Sequence, residues 1–290
     1  MAETHPLSIH EPFFLQLRGE LWKLFARKRT YIGFGAFFGL EVVILILFQL
    51  PKVQRSWRHI IEQAGYEFEG YFSGVTLAFQ VLFWTVFLLG GLYIALVGGD
   101  IVAKEVEDGT MRMTLCRPVS RLRVLAVKYI ASLIYTFALT FFIGLSALVI
   151  GLLRQGVGGF FAFQPLQKLY VLYDFGPGLA RYFGSLPVLG FTLVSVASLA
   201  FMLSCCNMKP AAATICTLTY IVTDNIFRNI PYFDSLKPWF LTSHIETWYN
   251  VYRSPIPWAQ MTEDVIYLAG VDATFVLVGV AIFSSRDFKS

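Results

Sequence analysis

The sequence predicts an all-α polytopic membrane protein with six transmembrane helices. Hydrophobic residues make up 56% of its 290 residues and charged residues only 14%, whereas a soluble domain carries about 25% charged residues. Six apolar stretches are each long enough to cross a bilayer as a helix, which takes about 20 residues. They cover residues 30–50, 75–98, 129–153, 185–206, 210–228 and 265–283. No separate soluble domain is visible, so residues 1–290 are predicted to form a single transmembrane domain.

The segment before the first apolar stretch, residues 1–29, is predicted to form a cytoplasmic helix that lies on the inner leaflet. Apolar and polar side chains recur there on opposite faces at helical spacing. The apolar face carries Phe14, Leu17, Leu21, Leu24 and Phe25, and the polar face carries Glu20, Lys23 and Arg27. The alternative is a frayed start of the first membrane helix. The segment lacks the pattern of a cleaved secretory signal, so we expect it to stay in the mature protein.

Lysine and arginine are unevenly distributed between the predicted loops. Of the 23 bases, about 14 lie in the N-terminal arm, the 99–128 loop, Lys209 and the C-terminal tail. Basic residues favour the cytoplasmic side. We therefore expect a multi-pass protein of the cell (inner) membrane with both termini in the cytoplasm. The net charge of +4 reflects this bias, and no nucleic-acid partner is predicted.

The 99–128 loop, between the second and third predicted spans, carries the strongest signal for function. Asp108, Gly109 and Thr110 can end one helix and start another. The next residues fill only about two helical turns before Arg117 and Pro118 stop the helix. This pattern predicts a rigid projection on the cytoplasmic side. An ordinary short turn with lipid-facing bases is the alternative.

The run from Glu105 to Lys128 resembles the corresponding loop of type-2 ATP-binding-cassette (ABC) permeases. A glutamate, a Gly-Thr pair, a short amphipathic helix and Pro-x-Ser-Arg followed by Lys recur there at this spacing. The resemblance implies a coupling helix that sits in a cleft of a separate ATPase subunit and transmits its closure to the spans. The residues implied in coupling are Glu105, Glu107, Asp108, Gly109, Thr110, Met113, Leu115, Arg117, Pro118 and Arg121.

The resemblance also implies the partners. A second permease copy would complete a homodimer or heterodimer, and ATP and Mg²⁺ would bind to the ATPase subunit. This agrees with the sequence, which contains no G-x-x-x-x-G-K-[ST] loop to cradle phosphates. The expected function is export of a lipid, peptide, drug or other amphiphile by a non-catalytic permease subunit. The alternatives are an ATP-independent channel or secondary transporter and, with less support, a membrane-embedded enzyme.

Three acids lie inside the apolar stretches without a neighbouring base: Glu41, Asp224 and Asp272. An ionised acid near the centre of a membrane helix costs about 2.5 to 3.5 kcal/mol. One interpretation is an acidic patch along a substrate path, which favours cationic or amphiphilic cargo. The other is a set of structural acids bonded to hydroxyl groups, with partners such as Thr214, Thr217, Thr219 and Thr223.

Gly35 and Gly39 form a G-x-x-x-G pattern in the first span. Small residues at this spacing allow two helices to approach closely. The family resemblance implies that two permease copies meet through the first and fifth spans, and packing within one chain is the alternative.

The four cysteines form no C-x-x-C pair and the four histidines are scattered, so neither a metal site nor a catalytic site is predicted.

The outer loops 154–184 and 229–263 are rich in aromatic residues, which suit the membrane interface as a belt or as short helices.

Overall fold

The structure, a computed structural model, describes residues 11–26, 28–63, 65–116 and 119–286. Five of its helices are long and apolar enough to cross a membrane, and they fall on five of the six predicted stretches. The helical membrane class is therefore confirmed. These candidate spans are Thr30–Phe48, Gly74–Glu107, Arg121–Gln155, Phe175–Cys205 and Trp258–Ser285.

The described helices are numbered in chain order. The first half contains α1 (Glu11–Ala26), α2 (Lys28–Phe48), α3 (Pro51–Gln63), α4 (Phe68–Tyr71), α5 (Gly74–Thr85), α6 (Gly91–Glu107) and α7 (Thr110–Leu115). The second half contains α8 (Arg121–Gln155), α9 (Phe175–Cys205), α10 (Pro210–Arg228), α11 (Leu241–Ile245) and α12 (Trp258–Ser285). A π-helical turn, Val86–Gly90, joins α5 to α6, so the two form one continuous membrane helix.

The helix α9 forms the centre of the bundle. In the most apolar 18-residue segment of α9, 72% of the residues are buried, compared with 17% in the corresponding segment of α12. Its fully buried Tyr182 donates a hydrogen bond of 2.7 Å to the carbonyl oxygen of Gly144 in α8. At the other end of α9, Ser204 accepts hydrogen bonds from the backbone of α6, at Val102 (3.0 Å) and Ala103 (2.8 Å). These polar contacts fix α9 against α8 and α6 in a core that is otherwise apolar.

The helix α10 covers the fifth predicted span but is less apolar than the other five helices. Its 19 residues give a length of about 28 Å, enough for the hydrocarbon core. The polar side chains of Thr214, Thr217, Thr223 and Asp224 lower its hydropathy. The five-span count and the predicted six therefore differ only in this helix.

The outer loop 154–184 contains a β-hairpin that the sequence analysis did not predict. Strand β1 (Phe160–Gln164) pairs antiparallel with β2 (Leu169–Tyr173), and Phe160 lies opposite Tyr173. Phe160, Phe161 and Ala162 are fully buried, so these two aromatic rings pack inside the protein, whereas Tyr170 of β2 is 47% exposed. The all-α class thus holds for the membrane part, with one small sheet outside it.

Candidate functional site

The predicted short helix between the second and third spans is present as α7, which has six residues. Gly109 ends the preceding helix with a φ of 72°, and its N–H group donates a hydrogen bond of 3.2 Å to Val106. On α7, Met111 is 1% exposed and packs into the core, whereas Met113 is 67% exposed. One face of α7 is thus anchored and the other is free to contact a partner.

Some of the remaining predicted coupling residues bond to the protein itself, and others lie on its exposed surface. Thr110 donates a hydrogen bond of 3.3 Å from its hydroxyl group to the carbonyl oxygen of Glu105. Glu107 and Asp108 lie on the exposed side, each 3.2 Å from Lys104. Exposed ion pairs contribute at most about 1 kcal/mol, so these two acids are free to exchange partners. Arg117, Pro118 and the side chain of Leu115 lie outside the described residues.

Four charged side chains meet directly behind α7, and we call them the charge cluster: Glu20, Lys23, Glu105 and Lys128. The Lys128 ammonium group lies 2.8 Å from Glu105 and 3.1 Å from Glu20. Lys23 lies 2.8 Å from Glu20 and 3.6 Å from Glu105. Since Lys128 is 1% exposed, the cluster is a buried junction between α1, α6 and α8.

The charge cluster corrects two sequence interpretations. Glu20 and Lys23 were expected on the polar face of a helix that lies on the inner leaflet, but Glu20 contacts Lys128 of α8. The alternative of lipid-facing bases in the 99–128 loop is wrong for Lys128, which is buried beside Glu105. The signal in the sequence was the single acid among the bases of residues 18–29, which is unusual for a segment that only binds lipid headgroups.

The charge cluster favours the ionised forms of Glu20 and Lys23. Burial by itself would raise the pKa of Glu20, but attraction by Lys128 and the hydrogen bond from Lys23 outweigh it and lower this pKa. Burial would likewise lower the pKa of Lys23, but its hydrogen bond to Glu20 and the charges of Glu20 and Glu105 raise it. The contacts at the base of α7 therefore stabilise the charges of these two side chains.

Two arginines extend this junction to the C-terminal ends of α9 and α12. Arg121, a predicted coupling residue, donates hydrogen bonds to the carbonyl oxygens of Ser284 (3.0 Å) and Arg286 (2.8 Å). Arg286 in turn donates to the carbonyl oxygen of Cys205 (3.1 Å) and to the side chain of Asn207. The ends of α8, α9 and α12 are thus connected around the site.

The three acids of the predicted spans have different neighbours in the structure. Glu41 is fully buried in α2, and the hydroxyl group of Ser146 in α8 lies 2.9 Å from its carboxyl group. Asp272 is 6% exposed and faces Ser195 and Ser198 of α9. Asp224 is 8% exposed and accepts two hydrogen bonds from Thr242, a residue of the outer loop.

The threonines proposed as partners of these acids do not all serve that role. Thr214 and Thr217 donate to the carbonyl oxygens of Pro210 and Ala213 in their own helix. Thr242 of α11 is the partner of Asp224 instead. This partner was missed because it lies outside the predicted spans.

The G-x-x-x-G face of α2 points away from the described residues. A Cβ atom added at Gly35 or Gly39 would meet no heavy atom within 4 Å. Gly33, in contrast, packs against the Tyr93 ring, where an added Cβ would lie 1.9 Å from the ring. Gly33 therefore serves packing within this chain, while the Gly35 and Gly39 face has no contact of this kind.

Comparison with known proteins identifies the family. A family model described as ABC-2 family transporter protein matches residues 16–223, which include α7 and the whole charge cluster. The uncharacterized protein YhcI of Bacillus subtilis (strain 168) is 26% identical over 211 residues, and the match covers 70% of this chain and 66% of that protein. This chain therefore belongs to the ABC-2 family of transporter proteins.

Proposed function

We propose that this chain is the membrane-spanning permease subunit of an ATP-driven transporter that exports a lipid, peptide, drug or other amphiphile. Membership of the ABC-2 family supports a transport role. A separate ATPase subunit would bind ATP and Mg²⁺ and hydrolyse the nucleotide. A second permease copy would complete the assembly in the inner cell membrane.

The observation that carries this proposal is the position of α7 on the charge cluster. A helix of six residues is too short to be stable alone. The helix α7 is held by the side chain of Met111, which is buried in the core, and by the hydrogen bond from Thr110 to the carbonyl oxygen of Glu105. Breaking a buried ion pair by separating its partners is strongly unfavourable. Closure of an ATPase subunit against α7 would therefore move α1, α6 and α8 together.

The proposed topology has six spans with both termini in the cytoplasm. The C-terminal ends of α9 and α12 lie together, because Arg286 binds the carbonyl oxygen of Cys205. The start of α9 lies at the other end of the bundle, where Arg181 binds the carbonyl oxygen of Val251 just before α12. The chain must return between α9 and α12, and α10 has the length for this return.

Reporter fusions test this topology. A reporter that is active only outside the cytoplasm should be active after Gly159 or Ser254 and silent after Asp108 or Ser290. The opposite pattern would contradict the proposed orientation, and activity after only one of Gly159 and Ser254 would contradict the six-span count.

The surface of α2 that carries Gly35 and Gly39 is proposed to meet the second permease copy. Close approach of helices requires small residues, and this surface has no contact with the described residues near either glycine. Replacement of Gly39 by Leu should reduce the dimer fraction in cross-linking experiments. Gly176→Leu is the matched control, since Gly176 also has open space around it but lies on α9.

The coupling role is tested by adding a charge to the exposed face of α7. Met113→Glu should abolish stimulation of the ATPase subunit by transported cargo in a reconstituted complex. The control is Val157→Glu, since Val157 is similarly exposed (72%, compared with 67% for Met113) but lies at the opposite end of the bundle. Unchanged stimulation in Met113→Glu would remove α7 from the mechanism. Cargo movement without any ATPase subunit would instead favour an ATP-independent transporter.

A further inference from the structure

The outward face of α10 contains a groove of ≈ 530 Å³. Hydroxyl groups, a carboxyl group and aromatic rings line it together: Cys216, Thr219, Tyr220, Thr223, Asp224, Phe227 and Phe240. A helix surface that faces only lipid tails would be apolar throughout. The mixture points to a ligand that is itself partly polar.

The carboxyl group of Asp224 has unused binding capacity in this groove. Both of its hydrogen bonds end on Oδ2, from the Thr242 N–H group (2.8 Å) and hydroxyl group (2.6 Å). Among the described residues, nothing donates to Oδ1. The nearby Arg228 is engaged elsewhere, with Glu246 at 2.7 Å and the carbonyl oxygen of Thr242 at 3.0 Å.

The acids around the groove differ in their partners. In the part of the chain that the structure describes, no basic side chain forms an ion pair with Asp224. The neighbouring acids are paired, Glu246 with Arg228 and Asp264 with His244. A buried carboxylate without a counter-ion is unfavourable. A cationic group is therefore the complementary ligand.

Two hydroxyl groups beside Asp224 are also available. Thr219 and Thr223 are exposed on α10, one helical turn apart, and form no hydrogen bond with the described residues. The inward-facing Thr214 and Thr217 differ, because both bond to their own helix. Hydroxyl groups left unbonded at this depth in a membrane would serve a polar ligand group.

A second groove of ≈ 620 Å³ adjoins the first at Tyr220 and runs between α10 and α12. It is lined by Tyr220, Leu241, Ile266, Tyr267, Gly270, Val271, Thr274 and Phe275. An added Cβ at Gly270 would meet nothing within 4 Å, so the groove has open space at this glycine. The apolar side chains of its lining, Leu241, Ile266, Val271 and Phe275, suit contact with a hydrocarbon chain.

We propose that the two grooves together bind an amphiphile with a cationic head group. The head group would lie against Oδ1 of Asp224, between the hydroxyl groups of Thr219 and Thr223, and the chain would lie between α10 and α12. This inference rests on the proposed function and specifies its substrate class. The grooves extend beyond the residues that match the family model, which ends at residue 223.

Photoaffinity labelling tests the site directly. The probe is a hexadecylammonium compound with a diazirine in its alkyl chain, added to the full protein in phosphatidylcholine nanodiscs. Adducts should concentrate on residues 266–275 and 216–227. Adducts on Leu145 and Val149, which are exposed apolar residues of α8, measure general access from the bilayer.

Competition by two unlabelled compounds then shows whether binding depends on the charge of the head group or only on the hydrophobic chain. Unlabelled hexadecylammonium should displace the probe at a concentration about tenfold below that of hexadecyl maltoside, which corresponds to about 1.4 kcal/mol. Asp224→Asn should remove this preference, since an asparagine oxygen can still accept from Thr242. Glu263→Gln, which changes an exposed acid outside both grooves, should keep it. Thr223→Val should weaken binding of the cation even if Asp224→Asn fails to fold.

Three outcomes would overturn the proposal. They are equal competition by the two compounds, a preference that persists in Asp224→Asn, and adducts on α8 without adducts at the grooves. The last result would show that the grooves do not bind the probe. Because the assay contains no ATPase subunit, its outcome is independent of the Met113→Glu experiment on coupling.

Discussion

Lys128 and Glu105 lie 2.8 Å apart across the contact between α8 and α6, and the Lys128 side chain is 1% exposed. Two charges buried this completely remain stable only when they are paired. Their positions therefore fix the two membrane helices relative to each other directly behind α7. Glu20 on α1 adds a second acid to the same lysine at 3.1 Å, which includes the N-terminal helix in the unit.

Replacement of Lys128 by Met should destabilise the protein strongly. Glu20 and Glu105 would lose the buried one of the two lysines that they share, a loss of about 3 to 5 kcal/mol. Lys23→Met is the control from the same cluster, and it should lose at most about 1 kcal/mol because Lys23 is half exposed. Thermal unfolding in detergent compares the two variants. Equal losses would mean that Lys128 is no more important than a surface lysine.

Replacement of Gly109 by Ala should weaken coupling more than it weakens the fold. Its φ of 72° costs a residue with a side chain about 1 to 2 kcal/mol, although an added Cβ would meet no atom within 4 Å. The strain would be relieved by a shift of α7. Gly109→Asn should be milder because asparagine tolerates this conformation.

The readout for these Gly109 variants is stimulation of the ATPase subunit by transported cargo, with the unfolding temperature measured in parallel. Gly176→Ala, at a helical position with open space, serves as the neutral control. Full stimulation in Gly109→Ala would show that the left-handed turn has no role in coupling.

The sequence predicted α7 because its ends are defined by local chemistry. Gly109 allows the left-handed turn, and Ser120 caps the next helix by accepting from the Arg123 N–H group at 3.3 Å. The charge cluster depends on contacts between residues more than 100 positions apart, such as Glu20 and Lys128. Periodicity places a residue on a helix face but does not show which other helix that face meets.

Sequence reasoning missed the hairpin of the loop 154–184 for the same reason, whereas short helices, which were expected, are present in 229–263, α11 among them. The aromatic residues of 154–184 fit a membrane interface as well as they fit a β-hairpin, and the choice depends on packing. Phe160 stacks on Tyr173 across the hairpin, with ring centroids 6.3 Å apart, and also contacts Phe79 of α5. Asp224 likewise could be placed near the outer interface from sequence, but its partner Thr242 could not.

The stability of the outer loop should depend on pH through His244. Its ring nitrogens face two acceptors, Asp264 at 2.7 Å and the carbonyl oxygen of Pro238 at 3.0 Å, so both bonds form only when the ring carries two hydrogens. Burial would lower the pKa of His244, but these bonds and the charges of Asp264 and Asp224 raise it above the ordinary 6.5.

A pKa that is higher in the folded state means that folding favours the protonated histidine. The stabilisation is fully present below pH 6.5 and is lost as the pH rises through the higher folded value. The unfolding temperature should therefore fall as the pH rises through this range, and His244→Gln should flatten the fall. His59→Gln is the control, because His59 is exposed and bonds only to Gln63 in the described structure. A fall that persists in His244→Gln would assign the dependence to another group.

Glu41→Leu should leave stability unchanged or raise it, whereas Asp224→Leu should lower it. The hydroxyl group of Ser146 has a single hydrogen and lies 2.7 Å from the carbonyl oxygen of Phe142 as well as 2.9 Å from Glu41. Loss of the Glu41 carboxyl group therefore leaves Ser146 bonded, and it removes a buried oxygen, Oε2, that has no partner among the described residues.

Loss of the Asp224 carboxyl group has the opposite effect, because the buried N–H group of Thr242 would lose its acceptor. Such an unsatisfied donor costs about 1 to 3 kcal/mol. Thermal unfolding of the two leucine variants, with Glu41→Gln as the polar control, distinguishes the two positions. A clear loss in Glu41→Leu would mean that Oε2 binds a group outside this chain, such as the second permease copy or water in a transport path. Glu41 would then regain the role in the substrate path that its sequence position suggested.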